Sequence, residues 1–276
     1  MRMKKPLFNQ ICIVGVGLIG GSIGIAVKKK KLAGLVIGVA RRKATLETAL
    51  RRKAIDVGVT DLSDGVQNAD LVILCAPVSV INVQLKLITP YLKKGAVVID
   101  AGSSKEMIEA TAKKHLTKNR FVGCHPMAGS EQGGVEHASG ALFEGSVCFL
   151  TKPDPAIAGF WKALGAVPVT LAAAKHDAWA ARASHLPHLL AFALFQDFKL
   201  PAPNLPVNPS LQGMARIAKS SPELWADILL SNRKNASAAI HHILRQLAFF
   251  DSALRSADQQ KLTSLIRHAN KNSPQA

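Results

Sequence analysis

Gly123-Cys124-His125-Pro126-Met127-Ala128-Gly129-Ser130-Glu131-Gln132-Gly133-Gly134 gathers an imidazole, a carboxylate and four glycines into one short stretch. Gly and Pro weaken the interiors of helices and strands alike, so the stretch reads as a loop. It follows an apolar strand candidate, Phe121–Gly123. A loop that holds a His at a strand end is where α/β folds keep their chemistry. A neutral imidazole exchanges a proton near pH 7, which makes His125 a candidate acid–base group. The alternative is a Gly-rich connector with an incidental His.

A second stretch carries binding chemistry. Gln10–Val14 is a β-rich run, followed at once by Gly15-Val16-Gly17-Leu18-Ile19-Gly20 and a helical apolar pattern to about Val27. GxGxxG is informative in this setting, after a strand and opening a helix. The first Gly allows the tight turn, the second lets a pyrophosphate approach the backbone, and the third lets helix and strand pack closely. Leu18 and Ile19 then present their amides at the helix N-terminus, which favours phosphate. The next strand candidate, Leu35–Ala40, ends in Arg41-Arg42-Lys43, where an NAD enzyme usually has an acid for the ribose 2′-OH. Without that acid, Arg41 and Arg42 are suited to a 2′-phosphate. The expected cofactor is therefore NADP, with NAD possible. The competing reading of the arginines is a solvated basic helix start.

These groups need elements to position them. Leu71–Ala76 reads as a buried strand ending in Pro77, Val78–Leu92 as a helix and Val97–Asp100 as a strand. Gly102-Ser103-Ser104-Lys105 reads as a turn that caps a helix over Glu106–His115, and Ser146–Thr151 and Val167–Leu171 as two further strands. Strands alternating with helices specify a parallel doubly wound sheet. Ligands then sit at the strand C-termini, where Gly15, Arg41, Cys75-Ala76-Pro77, Ser103 and His125 all fall. After Leu171 the strand signal ends. Ala172–Leu200 is rich in Ala and Leu at helical spacing, Pro201–Pro209 is a Pro-rich link, and helical patterns recur over Ser210–Ala218, Pro222–Arg245 and Leu247–Asn270. The expected fold is α/β, with an N-terminal Rossmann-like doubly wound sheet in residues 1–171 and an all-α helical domain in residues 172–276. A small aliphatic helical domain completes its core by pairing with a second copy, so a homodimer is expected. The tail from Asn270 is expected to be disordered.

Composition narrows the class. The 276 residues are 48% hydrophobic but only 5% aromatic, which gives an aliphatic core, and the net charge of +17 favours anionic partners. The basic residues are scattered and carry no nucleic-acid motif, so nucleic acid is not the expected partner. Cys12, Cys75, Cys124 and Cys148 form no CxxC pair, which argues against zinc and fits a reducing cytoplasm. Ile11–Val27 is apolar but interrupted by five glycines, so it reads as strand and helix and not as a membrane segment.

In combination these motifs resemble a family. The Gly15–Gly20 motif, Asp100-Ala101-Gly102-Ser103-Ser104-Lys105 and His125-Pro126-Met127-Ala128-Gly129-Ser130-Glu131 match it, as do His176-Asp177 and Ser184-His185-Leu186-Pro187-His188. So do Arg216-Ile217-Ala218, Ser221-Pro222 and Trp225. The pattern is similar to the prephenate/arogenate dehydrogenases of tyrosine biosynthesis and runs in order from about Gln10 to about Asn235. The resemblance implies a dinucleotide domain, a helical dimerisation domain and an active site between them. It implies that His125 is the catalytic His and Arg216 the substrate-binding Arg, with Ser103, His185 and His188 lining the site and Glu131 nearby. Ala215 departs from the family's usual Thr, at the cost of at most one hydroxyl contact.

The implied reaction is oxidative decarboxylation of prephenate, a cyclohexadienol, to 4-hydroxyphenylpyruvate. Arogenate, with an ammonium in place of the side-chain keto group, is the alternative substrate, and Glu131 is the residue that would attract that ammonium. Ser103 reads equally as a contact to the substrate hydroxyl or as a helix N-cap. Arg216 reads as a carboxylate clamp or a surface ion pair. His185 and His188 stand at i, i+3, a spacing that also suits a metal, but no third ligand is evident and no metal is expected. Trp225 reads as core.

Overall fold

Phe8–Val14 (β1) buries its last four residues completely or nearly so, because the strand lies at the centre of a sheet covered on both faces. In the computed structural model, which describes residues 6–130, 132–199 and 208–273, β1 begins a strand–helix alternation. It continues through α1 (Leu18–Lys29), β2 (Ala33–Val39), α2 (Lys43–Arg51), β3 (Val57–Val59), α3 (Leu62–Val66) and β4 (Leu71–Leu74). Then come α4 (Val78–Ile88), β5 (Val97–Asp100), α5 (Glu106–His115) and β6 (Arg120–Val122). The six strands are parallel, in the order β3-β2-β1-β4-β5-β6. Successive side chains alternate between two cores. Ile11, Ile13, Ile73 and Ile99 pack against Ile23 and Val27 of α1. Cys12, Val14, Val72 and Leu74 pack against Ile81 and Leu85 of α4. The strand order reverses between β1 and β4, which opens the crevice where such sheets bind ligands.

The last three strands depart from the sequence expectation. Cys124–Pro126 (β7), Val147–Leu150 (β8) and Val167–Thr170 (β9) form a separate sheet, with β7 antiparallel and β9 parallel to β8. Between β8 and β9 lies α6 (Pro155–Leu164), whose Phe160 and Trp161 complete the first core. Apolar runs of this length reveal a buried strand but not which sheet it joins. His125 thus sits within a short strand and not in a free loop. Its neighbour Gly123 is tied to Thr151 by two hydrogen bonds, of 2.9 and 3.1 Å.

Beyond β9 the described chain is helical: α7 (Ala173–Ala180), a π-helical turn (Ala181–His185), α8 (Leu186–Leu194), α9 (Pro209–Ala218), α10 (Pro222–Ser231), α11 (Arg233–Arg255) and α12 (Gln259–Asn272). Two expected boundaries move. The chain breaks at Asn232, and α11 then runs straight through Leu247 to a stop at Ala257, whose φ is +52°. Asp258 restarts the helix by accepting from Lys261 N at 2.8 Å. The expected disordered tail begins too early, since α12 is helical to Asn272; residues 274–276, like the Pro201–Val207 part of the link, lie outside the described residues.

The helical part touches the sheet part through specific polar contacts. Asp177 on α7 accepts from the backbone N–H groups of Lys105 and Glu106 at 2.7 and 2.9 Å, capping α5 from outside. Asp227 on α10 accepts from Ser79 N at the start of α4 at 3.2 Å. Ser104 and Ser231 bond through their hydroxyls at 2.8 Å. Among the described residues no helix is long and apolar enough to cross a membrane.

Candidate active site

The dinucleotide crevice is built as the glycines require. Gly15 has φ +97°, and a Cβ there would lie 2.2 Å from Cys75 O. A Cβ on Gly20 would lie 2.1 Å from Gly15 O, so side chains at these two positions would push β1, the β4–α4 turn and α1 apart. Gly17, by contrast, faces open space with nothing within 4 Å. It caps α1, whose first turn has no side-chain cap and no acid, leaving the amides at Leu18 and Ile19 free for an anion. Ala76 N lies 3.7 Å from the same Cβ position on Gly15, and Pro77 is the N-cap of α4. Arg41 and Arg42 follow β2, both exposed, with no ion-pair partner among the described residues. The residues present therefore fit a dinucleotide: a bare helix N-terminus, a glycine cradle and an unpaired cationic pair at the second strand end.

Past the carboxyl end of β5 a cavity of about 550 Å³ is lined by Ser103, His125, Ser184, His185, His188, Arg216 and Trp225, among others. Five of the predicted site residues thus converge from distant parts of the chain. Ser103 is not the cap of α5: that helix starts after Lys105, has no side-chain cap of its own, and takes its capping from Asp177. The Ser103 side chain is left to the cavity. Arg216 is exposed on α9, with no carboxylate partner among the described residues. Glu131 lies outside the described residues.

Three histidines meet in this cavity, and each is held differently. His125 is buried, with Nδ1 2.9 Å from His176 Nε2. Burial, reinforced by His176, Lys105 and His185, holds it well below the ordinary His range. His185 closes the π-helical turn, where Asn232 Nδ2 donates to its Nδ1 at 3.3 Å, and burial pushes it down to about 4. His188 donates from Nδ1 to Ser184 O at 2.9 Å, and burial lowers it against the opposing pull of that bond. Its ring stacks on Trp225 at a centroid distance of 3.6 Å, while His185 meets the same indole edge-on at 6.1 Å. Trp225 is therefore a half-buried wall of the cavity and not core. Among the described residues no group of His, Cys, Asp or Glu is arranged to hold a metal ion.

Behind His125 lies a buried polar layer that residue type alone did not single out. His176 Nδ1 is 2.8 Å from Asp177 Oδ1. Lys105 and Asp100 form a fully buried ion pair. Lys105 Nζ also donates to Cys124 O at 2.7 Å, and Asp100 accepts from Cys124 N at 3.1 Å and Gly102 N at 2.8 Å. Both backbone groups of the residue before His125 are thus held by charged side chains. The available signal was Asp100 at the end of an otherwise apolar strand.

A six-stranded parallel dinucleotide fold, with a buried histidine and an exposed arginine lining one cavity, is the type found in pyridine-nucleotide oxidoreductases. Residues 23–167 match the family model described as prephenate dehydrogenase, nucleotide-binding domain, and residues 172–268 match prephenate dehydrogenase, dimerization domain. The chain belongs to the prephenate dehydrogenase family. It is 30% identical over 280 residues to a cyclohexadienyl dehydrogenase of Zymomonas mobilis, covering 96% of this chain and 95% of that one. It is 32% identical over 271 residues to a prephenate dehydrogenase of Lactococcus lactis, covering 95% of this chain and 76% of the relative. The crystal structure of prephenate dehydrogenase from A. aeolicus in complex with hydroxyphenyl propionate and NAD+ superposes with a TM-score of 0.85 at 29% identity, covering 98% of both chains.

Proposed function

We propose that this protein converts prephenate to 4-hydroxyphenylpyruvate and CO2 as a homodimer, passing a hydride to NADP in preference to NAD. The observation that carries the reading is the convergence of His125 and Arg216 on one cavity, in a chain whose parallel sheet also carries the Gly15–Gly20 turn at a strand end. Gly15, Gly17, Leu18, Ile19, Gly20, Ala76 and Pro77 would hold the cofactor, with Arg41 and Arg42 on a 2′-phosphate. The nicotinamide, when bound, accepts the hydride.

The chain's own residues do the rest. His125 takes the proton of the substrate's ring hydroxyl, and its lowered proton affinity keeps it neutral and ready at pH 7. Ser103, in the same cavity, orients that hydroxyl. Arg216 holds a substrate carboxylate through charge-assisted hydrogen bonds. His185 and His188, with Trp225, contact the rest of the substrate and exclude water from it. Departure of the ring carboxylate as CO2 makes the ring aromatic, which drives the reaction forward. The working unit divides near Leu171, where strands give way to helices.

Arogenate is a second substrate reading, supported by the nearly full-length match to the Zymomonas mobilis cyclohexadienyl dehydrogenase, since both acids carry the same cyclohexadienol. The test is absorbance at 340 nm with prephenate and arogenate, each with NADP and NAD. A prephenate-dependent rise with NADP is expected. No rise with any of the four combinations would refute the reading.

A further inference from the structure

The hydrogen bonds behind His125 determine which of its ring nitrogens is free. Asp177 Oδ1 accepts from Lys105 N, and Oδ2 accepts from Glu106 N, so this carboxylate acts as an acceptor on both oxygens. His176 Nδ1, at 2.8 Å from Oδ1, must therefore be a donor. A neutral imidazole protonated on Nδ1 has a bare Nε2. His176 Nε2 lies 2.9 Å from His125 Nδ1, so His125 Nδ1 carries the hydrogen. The lone pair of His125 is then on Nε2, on the ring that lines the cavity.

We propose that His176, backed by Asp177, is a positioning residue for proton transfer: it holds His125 with Nδ1 protonated and Nε2 bare, and it shares the charge once Nε2 takes a proton. The proposal rests on the dehydrogenase reading above. In the step itself the substrate's ring O–H breaks as an N–H bond forms at His125 Nε2, and the carbinol C–H pair would leave as hydride to a bound nicotinamide. The electrons of the breaking C–CO2 bond then aromatise the ring, whose oxygen takes the proton back from Nε2. His125 becomes an imidazolium whose Nδ1–H points at His176, with the Asp177 anion one ring further on. The opposite arrangement, His176 as a cation donating from both nitrogens, would leave His125 protonated on Nε2 and useless as a base.

The remaining charged and titratable surroundings of His125 do not supply this function. Lys105 Nζ is occupied by Asp100 and Cys124 O. His185 is engaged by Asn232. His188 donates to Ser184 O, and Arg216, though it lines the same cavity, is not a hydrogen-bond partner of His125. His176 itself is fully buried between Phe149 and His125, with ring centroids at 5.3 and 5.0 Å.

Two variants and one spectrum test the proposal. His176→Phe keeps a ring in the pocket but removes the acceptor. Its turnover should fall about 10²-fold or more, the worth of a correctly presented acid–base group. KM values for substrate and cofactor should stay within about threefold. The acidic limb of the kcat profile should move, because the group facing His125 Nδ1–H has changed. His176→Gln can still accept from Nδ1–H through its amide oxygen and should recover at least about tenfold of the loss. Turnover in His176→Phe within about threefold of the unmutated enzyme would overturn the proposal. So would equal losses in both variants with the acidic limb unmoved, the pattern of a purely structural residue.

The spectrum needs no turnover and no substrate. In ¹⁵N-histidine-labelled protein at pH 7, with the His125 signals assigned by difference against His125→Asn, His125 should read as protonated on Nδ1 and bare on Nε2. A proton on Nε2 overturns the proposal, even if prephenate proves to be the wrong substrate or the Phe variant fails to fold. Absence of prephenate oxidation in the unmutated enzyme with the expected spectrum would sink the substrate reading alone.

Discussion

Lys105 and Asp100 pair with each other at a place where neither side chain touches solvent. Burial pushes the Asp100 carboxyl up, while Lys105 and the N–H groups of Gly102 and Cys124 pull it back down. Removing one member of a buried pair leaves an uncompensated charge and costs about 3–5 kcal/mol. Lys105→Met should therefore lower unfolding stability by that amount in urea titrations. Adding Asp100→Asn should restore part of it. An unchanged urea midpoint in Lys105→Met would show that the pair does not hold β7 in place.

Arg216→Ala should act on binding. It removes a charge-assisted anchor with no competing acid among the described residues, an interaction worth about 1.5–3 kcal/mol. The KM for prephenate should rise roughly tenfold to a hundredfold, with kcat changing less. Steady-state kinetics decide it, and a variant that loses kcat with KM unchanged would place Arg216 in the chemical step instead.

The pH dependence follows from burial. A base works when neutral, and burial lowers the proton affinity of His125. The acidic limb of kcat should therefore lie below the ordinary His value of about 6.5. His125→Asn should lose a factor on the order of 10²–10⁴ in turnover and lose that limb. Stability has its own window. His185 sits at about 4 in the folded chain and near the ordinary value when unfolded, so the unfolded chain binds more protons between these points. The contribution is complete above about 6.5 and is lost as pH falls toward 4. Melting temperatures measured from pH 8 to 4 should drop across that interval, and His185→Gln should flatten part of the drop.

Cofactor choice is a separable test. Arg41→Asp replaces a cation at the end of β2 with the carboxylate that favours a ribose 2′-OH. The ratio of kcat/KM for NADP over NAD should fall at least about tenfold, the worth of one charge-assisted contact. Higher kcat/KM with NAD in the unmutated enzyme would end the NADP reading.

The exposed face of α11 predicts assembly. Leu244, Leu247 and Leu254 share one side of this helix and are 55%, 50% and 64% exposed, a costly display of apolar surface for a lone chain. Light scattering at micromolar concentration should give twice the mass of the 29.4 kDa chain. Leu247→Glu should shift the equilibrium toward the single chain, and a single-chain mass for the unmutated protein would refute the dimer.

The nucleotide half was legible in the sequence because its determinants are local. Gly15, Gly17 and Gly20 shape one turn, and Arg41 follows one strand. The backbone geometry each needs is written within a few residues of it. His125 and Arg216 were legible as residue types, with the pairing of their roles supplied by resemblance. What only the tertiary structure decided is how distant segments meet. Cys124–Pro126 pairs with β8 in a second sheet, with Gly123 and Thr151 bonded at the end of that pairing, a choice that apolar periodicity does not encode. Ser103 is freed for the cavity because Asp177, 74 positions away in sequence, caps α5 in its place. Trp225 becomes a wall because His188 stacks on it from another helix. The hydrogen bond from His125 to His176 joins a strand to a helix. No spacing rule announces it, because hydrogen-bond partners are selected by three-dimensional proximity, which chain order leaves open.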